Sequence, residues 1–437
     1  MAMKKTEFSS ELLREHYTLM EHESGLSVYV FPKKLTSTYA LFATKYGSID
    51  NTFIENGTKI TVPDGIAHFL EHKLFENEDG SDSFARFSAL GADANAYTSY
   101  GRTAYLFSCT ENFEASLEEL LRFVTTPHFT EASVKKEQGI IAEEIRMYED
   151  SPWDRCQRLL FCALYHNHPI RKNICGSIKS IGEITPSLLY QCHRVFYHPS
   201  NMVLIVCGDV TEEQVMAVVD GVLPREVKPH TLELVLPEEP PTVAKKRTEC
   251  RMQVSKPLFC IGIKDPVLVA DPKERLRRDA AMTLLDEILF SRSGELYSAL
   301  FEEGIITPSF FGDYSCTDSF AYHCISGEAD DPEAVLGRIK AYLAEVMERG
   351  IDREVFERCR RVLYSDELRA YDSTEEIANR LLSFVFDDAE MFSYPALLQS
   401  VTVEELEELL KSSFREEYFA ISTVYPLETE EKEHEDE

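Results

Sequence analysis

The sequence predicts an α+β protein built as two homologous domains, each a largely antiparallel sheet packed with helices. Three observations predict it. Apolar or alternating runs bounded by turn residues recur in both halves of the chain. Long amphipathic stretches are grouped apart from those runs instead of alternating with them, which separates this pattern from a parallel α/β fold. The two halves also repeat each other's layout on either side of a proline-rich middle.

In chain order, GLSVYVFP (residues 25–32), TYALFATKYGS (38–48), NAYTSYG (95–101), TAYLFSC (103–109) and MVLIVCGD (202–209) read as strands. LFCIGIK (258–264) and FAYHCISGE (320–328) repeat the theme in the second half. The stretch over 113–145 reads as helix, short turn, helix, and the stretch over 332–364 has the same layout, with Val134 matching Val355. ITPSLLYQCHRVFYHPSNMVLIV (184–206), a helix followed by a strand, aligns without gaps with VTVEELEELLKSSFREEYFAIST (401–423). Leu189 then matches Leu406, Tyr197 matches Phe414 and Ile205 matches Ser422. Two matches in the same order favour a duplicated domain over chance helix patterning. Between the copies, Pro224, Pro229, Pro237, Pro240 and Pro241 are mixed with charges and followed by Lys245, Lys246 and Arg247. This composition marks a linker over 224–250, between a first domain of residues 1–223 and a second of 251–426. The acidic stretch 427–437 has nothing to bury and is expected to be a disordered tail.

Composition excludes whole classes of function. The chain has 437 residues, with 76 acidic and 45 basic side chains and a formal charge of −31. A nucleic-acid binder needs clustered Lys and Arg, and a protein held on anionic lipid needs basic patches, so neither partner is expected. No run of about 18 apolar residues occurs, so no transmembrane helix is expected. The polar N-terminus MAMKKTEFSSELLREHY lacks the apolar core of a secretory signal. Eleven cysteines, an odd number without a C-x-x-C pair, read as buried small hydrophobes in a reducing compartment, with the cytoplasm the expected location.

The chemistry is concentrated in PDGIAHFLEHKLFE (63–76). Pro63 and Asp64 suit a helix start, and Ile66, Phe69, Leu70 and Leu74 have helical periodicity. Four residues apart on a helix, His68 and His72 can offer two imidazoles to one metal, and Glu71 emerges on an adjoining face. This H-x-x-E-H order is the inverse of the H-E-x-x-H zinc motif. Neutral imidazoles suit Zn²⁺, and an unligated carboxylate beside it can take a proton from water. By chance the pattern should arise in about one chain of this length in thirty. A catalytic zinc wants a third protein ligand on another element. In VKKEQGIIAEEIRMYED (134–150), Glu137, Ile141, Glu144 and Tyr148 share one stripe, and Glu143 points elsewhere. Carboxylates on such a stripe are costly to bury unless paired or bound to metal. An ordinary solvated acidic helix would be the better reading if the histidine motif were absent.

GIAHFLEH, followed by EQGIIAEEIRMYEDSP, resembles the insulinase/pitrilysin family of inverzincin metallopeptidases. The chain's size, duplicated halves and linker extend the resemblance over nearly its whole length. The resemblance implies a zinc endopeptidase with one Zn²⁺ per chain, whose domains close like a clamshell. It implies that His68, His72 and Glu144 are the metal ligands, that Glu71 is the general base, and that Glu137 is the acidic residue supporting the site from behind. NAYTSYGRTAY resembles the family's strand beside the zinc, so Asn95, Ala96, Tyr97 and Thr98 are expected to pair with an extended peptide substrate. Without the zinc motif this stretch would read as an ordinary half-buried strand.

The second half departs from the family's pattern. Relatives carry L-R-x-x-x-G-x-x-Y there, but LYSALFEEGIIT, anchored on Gly304, puts Leu300 in the Arg place and Thr307 in the Tyr place. Arg292 and Tyr297 are nearby at the wrong spacing. The copy of the acidic helix is blank, with Arg358 matching Glu137 and Ser365 matching Glu144. This combination resembles the zinc-bearing member of bacterial two-gene pairs, which implies a homologous partner subunit, although a homodimer is also open. The rival readings are a weakly active or inactive scaffold subunit of a processing complex and a peptide-binding chaperone. His166 and His168 in YHNHP are expected to be solvated loop residues, and Tyr190, His193, Tyr197 and His198 to be helix and packing residues. No G-x-S-x-G, P-loop or G-x-G-x-x-G motif occurs.

Overall fold

The computed structural model describes residues 4–225 and 231–428. Part of the expected linker, including Pro229, and most of the expected acidic tail lie outside the described residues. The chain forms two compact units that are not contiguous in sequence. The first is built from the chain up to Arg146, His168–Pro237 and Tyr364–Ala396; the second from Met147–Asn167, Glu238–Leu363 and the chain from Leu397 onward.

The first unit is organised on a seven-stranded sheet. Its spatial order is Lys4–Ser10, Glu15–Glu21, Ser27–Pro32, Met202–Gly208, Thr38–Thr44, Thr103–Cys109 and Asp93–Thr98. Neighbours are antiparallel, except Ser27–Pro32 beside Met202–Gly208. Thr38–Thr44 and Met202–Gly208 are buried along their whole length, which is why they read as continuous apolar runs and not as alternation. The N-terminal hairpin is the opposite case: the strand Lys4–Ser10 is too polar and exposed to announce itself by periodicity. Asp93–Thr98 is the edge strand at the opposite end of the sheet from Lys4–Ser10.

The second unit has a five-stranded sheet in the order Arg247–Met252, Phe419–Pro426, Leu258–Lys264, Ala321–Glu328 and Phe311–Cys316. Here too one pairing is parallel, Arg247–Met252 beside Phe419–Pro426. The end of the proline-rich stretch is therefore a strand, and Glu239 within it is held by Lys264 at 2.6 Å and by the backbone N–H groups of His166 and Asn167. The duplicated layout is visible in both units. Pro186–Phe196 leads into Met202–Gly208 as Val403–Ser413 leads into Phe419–Pro426, and the matched Leu189 and Leu406 are both fully buried.

Two helices cover the sheet made mostly by the other half of the chain. Pro152–Leu164 packs on Phe419–Pro426 and Leu258–Lys264, where a side chain on Gly262 would lie 2.8 Å from Leu160 Cδ1. Thr374–Phe386 packs on Met202–Gly208 and Thr38–Thr44 through Ile377, Ala378, Leu381 and Leu382. Among the described residues no helix is long and apolar enough to cross a membrane.

Candidate active site

The helix Ile66–Leu74 begins one residue later than Pro63 and Asp64 suggest. Gly65 is its N-cap, at φ 91°, and no side chain caps the helix. Only glycine fits there, because a Cβ would stand 2.4 Å from Cys175 O, and it also accepts the left-handed backbone without strain. Asp64 instead ties neighbouring loops together, accepting from Asn51 Nδ2 at 2.9 Å and pairing with Lys172 at 2.8 Å. With its start locked in this way, the helix presents His68, Glu71 and His72 toward the helix Glu131–Asp150.

His68 Nε2 lies 3.4 Å from one oxygen of Glu144, and His72 Nε2 lies 3.4 Å from the other. One ligand atom from each of the three residues falls within 4.8 Å of the other two. Ligands about 2.1 Å from a shared tetrahedral centre stand about 3.4 Å apart, so the separations suit a small cation and are long for direct hydrogen bonds. Two imidazoles and a carboxylate also match the donor chemistry of zinc. Among the described residues no other trio of His, Cys, Asp or Glu converges in this way.

The remaining groups orient these donors. His72 Nδ1 donates to Glu137 Oε1 at 3.0 Å, which turns Nε2 toward Glu144. Burial disfavours the charged form of His72, but the Glu137 and Glu144 contacts and the Glu71 charge outweigh it and hold its pKa up at about 10. The polar contacts of His68 and His72 with Glu144 keep its carboxyl well below the usual carboxylate range. The acidic neighbours thus favour positive charge at His72, which a divalent cation bound there would also supply. Glu143 is turned away, 75% exposed and paired with Arg146.

Glu71 is buried, and its Oε2 accepts from Thr98 Oγ1 at 2.7 Å. The four strand residues singled out from the sequence are brought to the site differently. Asn95 is exposed and its Oδ1 accepts the Ala96 N–H at 2.9 Å on the open edge. Tyr97 reaches Asn379 on the other face at 3.4 Å, and Thr98 turns to Glu71. Beneath the site, Tyr197 and Tyr105 share a hydroxyl contact of 2.8 Å, and His193 stacks on Tyr197, its pKa pushed down to about 4 by burial. His168, expected to be solvated, is instead buried and its Nδ1 accepts the Ile170 N–H, closing a turn. Cys175 was not legible as a neighbour of the site. Its Sγ lies 3.8 Å from His68 Nε2 because the loop around Gly176 interlocks with Asp64 and Gly65.

In the second unit, Leu300 is fully buried and Thr307 Oγ1 is engaged by Ser309 at 2.7 Å and Glu328 at 3.1 Å. Arg292 donates to Pro308 O, and Tyr297 stacks on Phe301. Arg358 donates to Ser293 Oγ at 2.6 Å.

Residues 54–177 match the family described as Insulinase (Peptidase family M16), and residues 183–363 match Peptidase M16 inactive domain. The chain is 39% identical over 422 residues to the Bacillus subtilis protein named zinc protease YmfH, covering 95% of this chain and 98% of that one. An M16-like peptidase structure from Alicyclobacillus acidocaldarius superposes with a TM-score of 0.89 at 35% identity, covering 98% of this chain and 99% of the other. A Pseudomonas fluorescens structure described as a peptidase M16 inactive domain shares the fold at a TM-score of 0.77 and 19% identity, covering 98% of each chain.

Proposed function

Because the chain belongs to the insulinase (M16) peptidase family, we propose that it is a zinc-dependent endopeptidase that cleaves peptides or unstructured segments. His68, His72 and Glu144 would hold one Zn²⁺ per chain, with Glu71 as general base. The observation that carries this reading is the convergence of three ligand atoms beside an unligated carboxylate on the same helix. Zinc bound there supplies Lewis acidity, which polarises a carbonyl and lowers the pKa of water toward about 7.

The chain's own residues do the rest. Glu71 takes one proton from the attacking water as its oxygen bonds to the scissile carbonyl carbon. It gives that proton to the amide nitrogen as the C–N bond breaks, so one water is consumed and a carboxyl and an amine are released. The open edge of Asp93–Thr98 receives the substrate as an added strand, with Asn95 releasing the Ala96 N–H to a substrate carbonyl. Main-chain pairing of this kind tolerates many side chains but requires an extended, unfolded segment.

The oxyanion that forms needs a further donor. A buried Leu300 and an engaged Thr307 do not supply the family's Arg and Tyr, and a second copy of this chain would carry the same residues. A homologous partner subunit with an intact segment supplies them in this reading. A subunit of low intrinsic activity within a heteromeric complex is the second reading, favoured by the same two residues. All eleven cysteines are free thiols, which supports a reducing, cytoplasmic location.

Metal analysis and peptide digestion of the purified chain test the proposal. One zinc per chain is expected, lost in His68→Ala and Glu144→Gln and kept in Glu143→Gln. Glu71→Gln should keep zinc and lose hydrolysis. Full zinc content in His68→Ala would overturn the metal assignment, and hydrolysis by Glu71→Gln would overturn the role of the base.

A further inference from the structure

We infer that Thr98 is a positioning residue for Glu71, so that the strand offered to the substrate also decides which oxygen of the base faces the reaction. The inference rests on the peptidase reading above. A threonine hydroxyl has one proton to give. The neighbouring Thr103 Oγ1, 3.3 Å from Thr98 Oγ1, spends its own proton on Tyr46 O at 2.9 Å. The Thr98 proton goes to Glu71 Oε2, the nearer acceptor at 2.7 Å, and not to Thr103 Oγ1. With Oε2 occupied, Oε1 is the oxygen left to accept a proton from water. A glutamate without such a partner would sample several rotamers about its side-chain bonds.

The strand itself is held from both faces, which gives the hydroxyl a fixed origin. Successive strand residues point to opposite sides. Thr98 points to the helix Ile66–Leu74, and Tyr97 points to Asn379, which in turn donates to Tyr39 OH at 3.2 Å. Beyond Thr98, the hairpin turn is fastened by Ser48 N and Ile49 N donating to the carbonyls of Ser99 and Tyr100, both at 3.0 Å, and by Arg102 donating to Ser383 Oγ at 2.9 Å. The Ala96 N–H that meets the substrate and the Thr98 hydroxyl that aims the base are therefore two residues apart on one immobilised strand. Pairing register and the site of proton transfer are set by the same element.

Steady-state kinetics of the zinc-loaded chain test this with Thr98→Val and Thr98→Ser. Thr98→Val should lower kcat about 10- to 100-fold, change KM less than about 2-fold and leave zinc content at one per chain. Thr98→Ser, which restores the hydroxyl, should recover kcat to within about 3-fold of the wild type. An unchanged kcat in Thr98→Val, or equal losses in the two variants, would overturn the inference. A double-mutant cycle between Thr98→Val and Glu71→Ala, read by urea unfolding of the zinc-loaded chain, tests the contact independently of activity. A coupling of about tenfold in the unfolding equilibrium constant is expected, and additivity overturns the inference. If the wild type binds zinc, shows that coupling and cleaves no peptide either alone or with a homologous subunit carrying the Arg and Tyr segment, the peptidase reading fails and the orientation of Glu71 by Thr98 stands.

Discussion

A histidine that ligates through Nε2 must keep its proton on Nδ1, and in this chain the Nδ1 proton of His72 is held by Glu137. Glu137 thus reaches the candidate site through His72, although it shares a helix stripe with the half-buried Glu144. We predict that Glu137→Gln weakens zinc binding about 10- to 100-fold without abolishing it, as measured by competition with a chromophoric chelator. Unchanged affinity would mean that the contact is incidental. Much of this scale is legible in the sequence, because helical spacing forces His68, Glu71 and His72 onto neighbouring positions and separates Glu144 from Glu143. The partners of those residues are not legible. Thr98 and Cys175 come from segments whose distance from the helix has no expression in local periodicity.

Among the elements, the edge strand depends on a close approach made by a residue that carries no chemistry. A Cβ on Gly47 would lie 2.1 Å from Tyr100 O, at the hairpin turn that follows Thr98. Gly47→Ala must therefore push the turn away, or break the bonds from Ser48 and Ile49 that fasten it. The expected result is a loss of peptide cleavage of at least about 10-fold with zinc content retained, because a displacement near 1 Å at a catalytic strand is costly. Normal activity in Gly47→Ala would show that the turn yields without moving Thr98. The duplicated helix offers the contrast. LDEILF in Pro272–Phe290 lines up with LEHKLF at the helix Ile66–Leu74, placing Asp286 against Glu71 and Glu287 against His72. Asp286 is buried against His323 Nδ1 at 2.7 Å, a polar contact inside the second unit's core and not a carboxylate offered to a site.

For the whole molecule, one half carries the candidate trio His68, His72 and Glu144, and the other has Leu300 and Thr307 where the resemblance expects Arg and Tyr. We predict that the isolated chain cleaves peptides slowly and that a homologous subunit with the intact Arg and Tyr segment accelerates it about 100- to 1000-fold, the usual cost of one missing oxyanion donor. Assays of the chain alone, with that partner, and with the partner changed at its Arg and Tyr would decide the matter. Full activity from the chain alone would remove the need for a partner and leave the metal assignment untouched.

What the sequence determined by itself is local or statistical: the two sheet-rich halves, most of the central strands, and the face shared by His68, Glu71 and His72. These follow from periods of two and of about 3.6, which any short window of residues carries. Only the tertiary structure decided which sheet each helix covers. Pro152–Leu164 and Thr374–Phe386 are ordinary amphipathic helices, and an apolar stripe specifies that something must cover it without specifying what. The same holds for the hydroxyl on Glu71, the carboxylate on His72 and the thiol near His68. Those contacts exist because the packing of the whole first unit brings distant segments together, and the depth of that packing is not encoded in any one of them.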